Sequence, residues 1–108
     1  LKLVSQMGRH QDDTLFVFDE PSVGLHPKDV KVLNRVFEQL IQEGATLIVI
    51  EHDLDVMLNA DYMIDLGPKG GDAGGRVVAT GTPKQIAGSS NSITGKYLAQ
   101  RMKLYGMN

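Results

Sequence analysis

A short apolar run, Leu15-Phe16-Val17-Phe18, leads directly into two acids, Asp19-Glu20. Such a run reads as a strand, and adjacent carboxylates at its carboxyl end have a definite chemical use. In nucleoside triphosphate hydrolysis one acid holds magnesium, usually through water, while a second orients the water that attacks the γ-phosphate. Asp19 and Glu20 suit those two roles in that order. The plainer reading is that Asp19 ends the strand and caps the next turn, and a short motif alone leaves both readings open. A second apolar run, Leu47 to Ile50, ends in Glu51-His52-Asp53. An imidazole there can donate a hydrogen bond to a phosphate oxygen while its other nitrogen is held by a neighbour. His52 is the candidate for that task. Its plainer reading is a histidine at a helix start satisfied by backbone, and the acids at the first strand end weigh against it.

These groups act together only if both strands end at one sheet edge, and the intervening sequence provides for that. Thr14 to Phe18 and Thr46 to Ile50 are almost wholly apolar, as strands buried on both faces of a parallel sheet are. Between them, Pro27 suits the first turn of a helix that Gly44 ends, with Val30, Leu33, Val36, Phe37, Leu40 and Ile41 at helical spacing. Strand, amphipathic helix and strand predict a right-handed βαβ unit whose parallel strands present their carboxyl ends to a common crevice. The apolar helix stripe is scaffold that covers the sheet. Upstream, Leu1 to Met7 reads as the tail of a helix and Gly8 to Asp13 as a polar loop. Downstream, Asp53 is an N-cap for a short helix, Leu54 to Asn59, with Leu54, Met57 and Leu58 resting on the sheet. Tyr62 to Leu66 and Arg76 to Thr80 predict a hairpin around a wide glycine-rich loop. Thr82-Pro83 opens a helix to Ala87, Gly88 to Asn91 is a link, and a last helix lies near Ile93 to Met102. There is no internal repeat.

Composition narrows the function further. With 108 residues, 42% of them hydrophobic, the chain fits one globular unit. Eleven Lys plus Arg against 13 Asp plus Glu, with no basic cluster longer than a dipeptide, do not make a nucleic-acid surface, so any DNA contact is expected outside this segment. No cysteine is present, which excludes disulfides, thiolate zinc sites and cysteine nucleophiles within it. His26 has no partner at metal-ligand spacing and makes no zinc site, and His10 has no assigned role. Apolar runs fall well short of the roughly 20 residues of a membrane-spanning helix, and the amino terminus carries no signal pattern. A phosphate-cradling loop of the form Gly-x-x-x-x-Gly-Lys-Ser/Thr is missing. Its nearest approach, Ser90 to Tyr97 around Gly95-Lys96, reads as an ordinary helix start. The glycines from Gly67 to Gly75 lie between two strands and read as a hairpin turn.

Taken together, these residues resemble the ABC ATPase family of P-loop NTPases. Leu15 to Glu20 is similar to its Walker B strand with the catalytic glutamate, Pro21 to His26 to its D-loop, and His52 to its switch histidine. Transporter members tend to carry Ala-Leu-Asp in the D-loop and a small hydroxyl residue before the switch histidine. Gly24-Leu25-His26 and Glu51-His52-Asp53 depart from that and resemble the UvrA family, the damage-sensing subunits of bacterial excinuclease ABC. The likeness continues through Ile64-Asp65-Leu66-Gly67-Pro68, Val78-Ala79-Thr80-Gly81-Thr82-Pro83 and Thr94-Gly95-Lys96-Tyr97-Leu98, nearly the whole chain.

The resemblance implies an α/β fold: residues 1–108 as the carboxyl-terminal part of the second ABC ATPase domain, mostly parallel sheet with a Gly-rich hairpin and C-terminal helices. Walker A and the signature sequence would lie outside it. It implies ATP and Mg2+ as cofactors of the intact protein, Asp19 at the metal, Glu20 and His52 as catalytic residues, and Ser22, Gly24, Leu25 and His26 at a D-loop interface between ATPase modules. It also implies a homodimer partner, UvrB and damaged DNA as partners through other regions, a cytoplasmic location, and a 108-residue piece inactive by itself. Two other readings stand beside it: a related ATPase serving resistance to DNA-binding drugs, and an interaction module that pairs through its D-loop surface and catalyses nothing.

Overall fold

The computed structural model describes residues 14–67 and 75–107. The helix tail expected at Leu1 to Met7, the loop from Gly8 to Asp13 with His10, and most of the glycine-rich turn lie outside the described residues. Within them the order is β1 (Leu15–Asp19), α1 (Pro27–Gln42), β2 (Thr46–Ile50), α2 (Leu54–Leu58), β3 (Met63–Leu66), β4 (Val77–Gly81), α3 (Pro83–Ala87) and α4 (Ile93–Leu104). The chain divides into two compact units, Leu1–Val56 and Met57–Asn108, which corrects the expectation of one. Each unit has its own two-stranded sheet, parallel β1-β2 in the first and antiparallel β3-β4 in the second. The expected mostly parallel sheet is therefore not what the described residues form. β3 finds its partner through a local hairpin and adds nothing to the parallel pair.

In the first unit, β1 and β2 pair in register from Leu15 opposite Thr46 to Asp19 opposite Ile50. The ladder runs one residue beyond the apolar run, because Glu20 N–H still donates to the Ile50 carbonyl at 2.7 Å. Pro27 occupies the first turn of α1 as its fixed φ and missing N–H predict. The helix buries Val30, Leu33, Phe37 and Leu40, while Val36 and Ile41, at the margins of the expected stripe, are exposed. Those four side chains meet Phe16, Phe18, Ala45 and Val56, with Leu47 and Val49 packed alongside. The Phe18 ring lies 5.0 Å from that of Phe37 at 55°, a tilted contact favoured by the ring quadrupoles. Period-2 alternation sends Phe16 and Phe18 toward the helix and leaves Leu15, Val17, Ile48 and Ile50 about half exposed on the other face. Burial on both strand faces is thus corrected to burial on one, since a single helix layer covers the pair.

Asp53 caps α2 as expected, its Oδ1 accepting from the N–H groups of Asp55 at 2.8 Å and Val56 at 3.2 Å. The residue of α2 that enters the first unit's core is Val56, whereas Leu54, Met57 and Leu58 are only half-buried. One short turn of helix presents a single residue fully to a core, and the capping geometry at Asp53 selects Val56.

In the second unit, β3 and β4 form the expected hairpin, closed by a bond from Gly67 N–H to the Arg76 carbonyl at 2.6 Å. Thr82 and Gln85 then make a reciprocal capping box at the start of α3, with Pro83 in the first turn. Helix α4 is capped by Ser92, which is wholly buried; its hydroxyl donates to Asp65 at 2.5 Å and accepts from Gly95 N–H at 2.8 Å. Gly95 is fixed by close approach: a Cβ there would sit 2.1 Å from the Ile86 carbonyl oxygen. Leu98, Met102 and Ile86 fill the interior. The Gly95-Lys96 pair is thus the opening of a helix packed against α3, as its sequence suggests, and not a phosphate loop.

Candidate functional site

Parallel pairing puts the carboxyl ends of β1 and β2 side by side, so Asp19-Glu20 and Glu51-His52-Asp53 emerge at one edge of the first unit. Asp19 is the last residue of β1 and is exposed. Glu20 follows it with φ 49, the only non-glycine residue with positive φ among those described. That left-handed conformation puts Cβ close to the backbone and costs about 1–2 kcal/mol. Backbone contacts hold it in place: the Glu20 N–H reaches Ile50, and the Glu20 carbonyl accepts from Val23 N–H at 3.1 Å, closing a tight turn over Pro21 and Ser22. Strain of this kind persists where neighbouring structure over-determines it, and it concentrates at functional sites.

The consequence is a defined juxtaposition. Glu20 Oε1 lies 3.3 Å from His52 Nε2, with the histidine side chain 84% exposed and that of Glu20 44% exposed. A pair so open to water contributes almost nothing to folding. What it offers is chemistry: a carboxylate and an imidazole in reach of each other and of a solvent-borne ligand. Asp19 beside them supplies a hard oxygen donor. Among the described residues no group of three His, Cys, Asp or Glu is arranged to hold a metal ion. One carboxylate nonetheless fits magnesium, which retains several waters and takes other ligands from substrate phosphates.

The segment expected to form an intermodular loop takes shape as two overlapping turns, with Leu25 N–H donating to the Ser22 carbonyl at 3.0 Å. Gly24 has φ +81, and a Cβ there would meet nothing within 4 Å, so the glycine answers a backbone need and not a steric one. Val23 is 71% exposed and Leu25 40%, giving the loop an apolar tip. His26 has a local task that its sequence did not advertise. It is the N-cap of α1, its Nδ1 accepting from Lys28 N–H at 3.2 Å.

Glu51 is the residue that sequence reasoning left without a role. Half-buried, it accepts from Ser22 N–H at 3.0 Å with Oε2, and from His52 N–H at 3.0 Å and Asp53 N–H at 3.4 Å with Oε1. Its place beside His52 was the only signal in the sequence, and spacing alone does not reveal a bond to a residue 29 positions earlier. None of the described helices is long and apolar enough to cross a membrane.

No protein-family model matches the chain. Individual relatives do. UvrABC system protein A of Aquifex aeolicus is 49% identical over 104 residues, which cover 95% of this chain and 11% of that protein. A UvrABC system protein A sequence from Paracoccus denitrificans is 50% identical over 99 residues, covering 91% of this chain and 90% of its own length. Among solved structures, UvrA2 from Deinococcus radiodurans is similar with a TM-score of 0.77 and 44% identity, over 81% of this chain and 11% of that one. The chain thus spans about a tenth of the length of most of these relatives.

Proposed function

The chain belongs to the UvrABC system protein A family, and from that premise we propose that it is the hydrolytic edge of an ATPase that recognises damaged DNA in nucleotide excision repair. In this reading residues 1–108 are the carboxyl-terminal part of an ABC ATPase domain. The observation that carries it is the strained Glu20 at the tip of β1, with its carboxylate 3.3 Å from the His52 ring at the tip of β2. Glu20 accepts a hydrogen bond from the attacking water and aims its lone pair at the γ-phosphate. His52 donates to a phosphate oxygen, where charge accumulates as the bond to the leaving group lengthens. Asp19 would be the residue that holds magnesium. When bound, the ion neutralises charge on the phosphates.

Several parts of the proposal concern the intact protein. ATP binding requires a phosphate-cradling loop, which these residues do not include, so the 108-residue chain by itself does not turn over ATP. The Ser22 to His26 loop, with Gly24 and Leu25 at its apolar tip, faces a second ATPase module. A homodimer partner, UvrB and damaged DNA are engaged through other regions, in the cytoplasm, and hydrolysis shifts the populations of the states that bind DNA.

The test is Glu20→Gln in the full-length protein carrying this segment. The amide keeps the size of the side chain but loses the basicity that polarises water. Turnover should fall by roughly 100-fold or more while nucleotide affinity is retained, since a positioned base contributes about 10²–10⁴-fold. Undiminished hydrolysis would remove Glu20 from its role.

A further inference from the structure

The Glu20-His52 juxtaposition raises a question that neither residue answers: what keeps two exposed side chains on two different loops at a fixed separation. The β1-β2 ladder ends at the bond from Glu20 N–H to the Ile50 carbonyl, and beyond it the two chain segments part. One side chain spans the gap. Glu51 directs Oε2 at Ser22 N–H on the loop after β1, and Oε1 at His52 and Asp53 N–H on the loop after β2.

A carboxylate has the capacity for this. Its two oxygens offer about four lone-pair sites and no donor, so all three N–H groups can be satisfied at once. Bonds from N–H to a charged acceptor are also roughly twice as strong as neutral ones. A glutamine of the same shape would turn an NH₂ group toward one of the loops, losing either the Ser22 or the His52 connection. The donors contribute only backbone N–H groups, so the specificity of the tie resides in Glu51 alone.

We infer that Glu51 is a positioning residue that ties the Pro21 to His26 loop to the His52 loop, so that displacement of one on nucleotide binding or hydrolysis is carried to the other. This rests on the ATPase reading given above. Glu51 touches none of the reacting atoms in that reading. It sets the angle at which His52 leaves β2 and the position of the turn that holds Glu20, and it couples the apolar loop tip at Val23 and Leu25 to the occupancy of the site.

Full-length protein carrying Glu51→Gln tests this, compared with His52→Ala, the double variant and Glu20→Gln. A misplacement of the order of 1 Å costs about a hundredfold in rate, so kcat in Glu51→Gln should fall by about ten- to a hundredfold with KM for ATP changed less than about threefold. In the His52→Ala background the same substitution should lower kcat by clearly less than it does alone, because the His52 part of the alignment it protects is already gone and only the Glu20 part remains. Amide hydrogen exchange at Ser22 or His52 should rise in Glu51→Gln. Losses that multiply in the double variant, a change confined to KM, or unaltered exchange at both amides would each overturn the inference. Full turnover in Glu51→Gln beside lost turnover in Glu20→Gln removes the inference alone, whereas full turnover in Glu20→Gln removes the ATPase role on which it stands.

Discussion

If the left-handed backbone at Glu20 is imposed by the site, relieving it should stabilise the fold while destroying the chemistry. Glu20→Gly and Glu20→Ala separate the two effects, because both remove the carboxylate and only glycine removes the Cβ. At φ 49 a side-chain-bearing residue carries about 1–2 kcal/mol of strain. Glycine returns about 0.4–1 kcal/mol of this through the greater freedom of the unfolded chain. The difference leaves Glu20→Gly more stable than Glu20→Ala by roughly 0.8 kcal/mol, about a fourfold change in a local opening equilibrium. Loss of the exposed Glu20-His52 contact is common to both variants and drops out of the comparison. Native-state hydrogen exchange of the β1 and β2 amides reads this directly, since opening free energies are resolved segment by segment. Exchange should be about fourfold slower in Glu20→Gly than in Glu20→Ala, and ATP turnover should fall by roughly 100-fold or more in both. Equal exchange in the two, or faster exchange in Glu20→Gly, would refute the claim that Glu20 is held under backbone strain.

Two further substitutions test the scaffold. Gly95→Ala gains up to about 1 kcal/mol in helix propensity, but its Cβ would meet the Ile86 carbonyl oxygen at 2.1 Å. Overpacking against backbone costs about 1–3 kcal/mol and should dominate, so α4 amides should exchange about tenfold faster; unchanged protection would show that the α3-α4 approach is soft. His26→Asp replaces an unusual N-cap by a preferred one and adds negative charge at the start of α1. Protection of the first turn of α1 should rise by about 0.5–1 kcal/mol, and a decrease would mean that the ring does more than cap the helix.

Much of the scaffold was legible because local and periodic signals agreed. Pro27 and the six-residue stripe from Val30 to Ile41 define α1, four of whose members are buried, and Thr82-Pro83 opens α3, where the structure adds the reciprocal bond from Gln85. The errors arose where tertiary context decided. Both faces of an apolar strand look alike in sequence, and only the placement of α1 shows that Phe16 and Phe18 are covered while Leu15 and Val17 are not. The β3-β4 hairpin, by contrast, was legible from its two strand-like runs around a glycine-rich loop, and the Gly67 to Arg76 closure bears it out. At the site, residue types and spacing named Asp19, Glu20 and His52. The φ of Glu20, the capping by His26 and the bonds of Glu51 were hidden, because each depends on where the chain turns after a strand ends.

The hidden features belong to one mechanical arrangement. A left-handed glutamate relaxes unless the chain on both sides of it is held, and here the hold is distributed. Its N–H is fixed by β2, its carbonyl by the turn to Val23, and that turn by Glu51 through Ser22 N–H. The same Glu51 carboxylate fixes the backbone at His52. Strain at Glu20 and position at His52 therefore share a support, and loosening Glu51 should release both together. The apolar tip at Val23 and Leu25 rides on the same turn. A contact made there by another module would bear on the Glu20 backbone through two residues of chain, without any change in the β1-β2 ladder beneath.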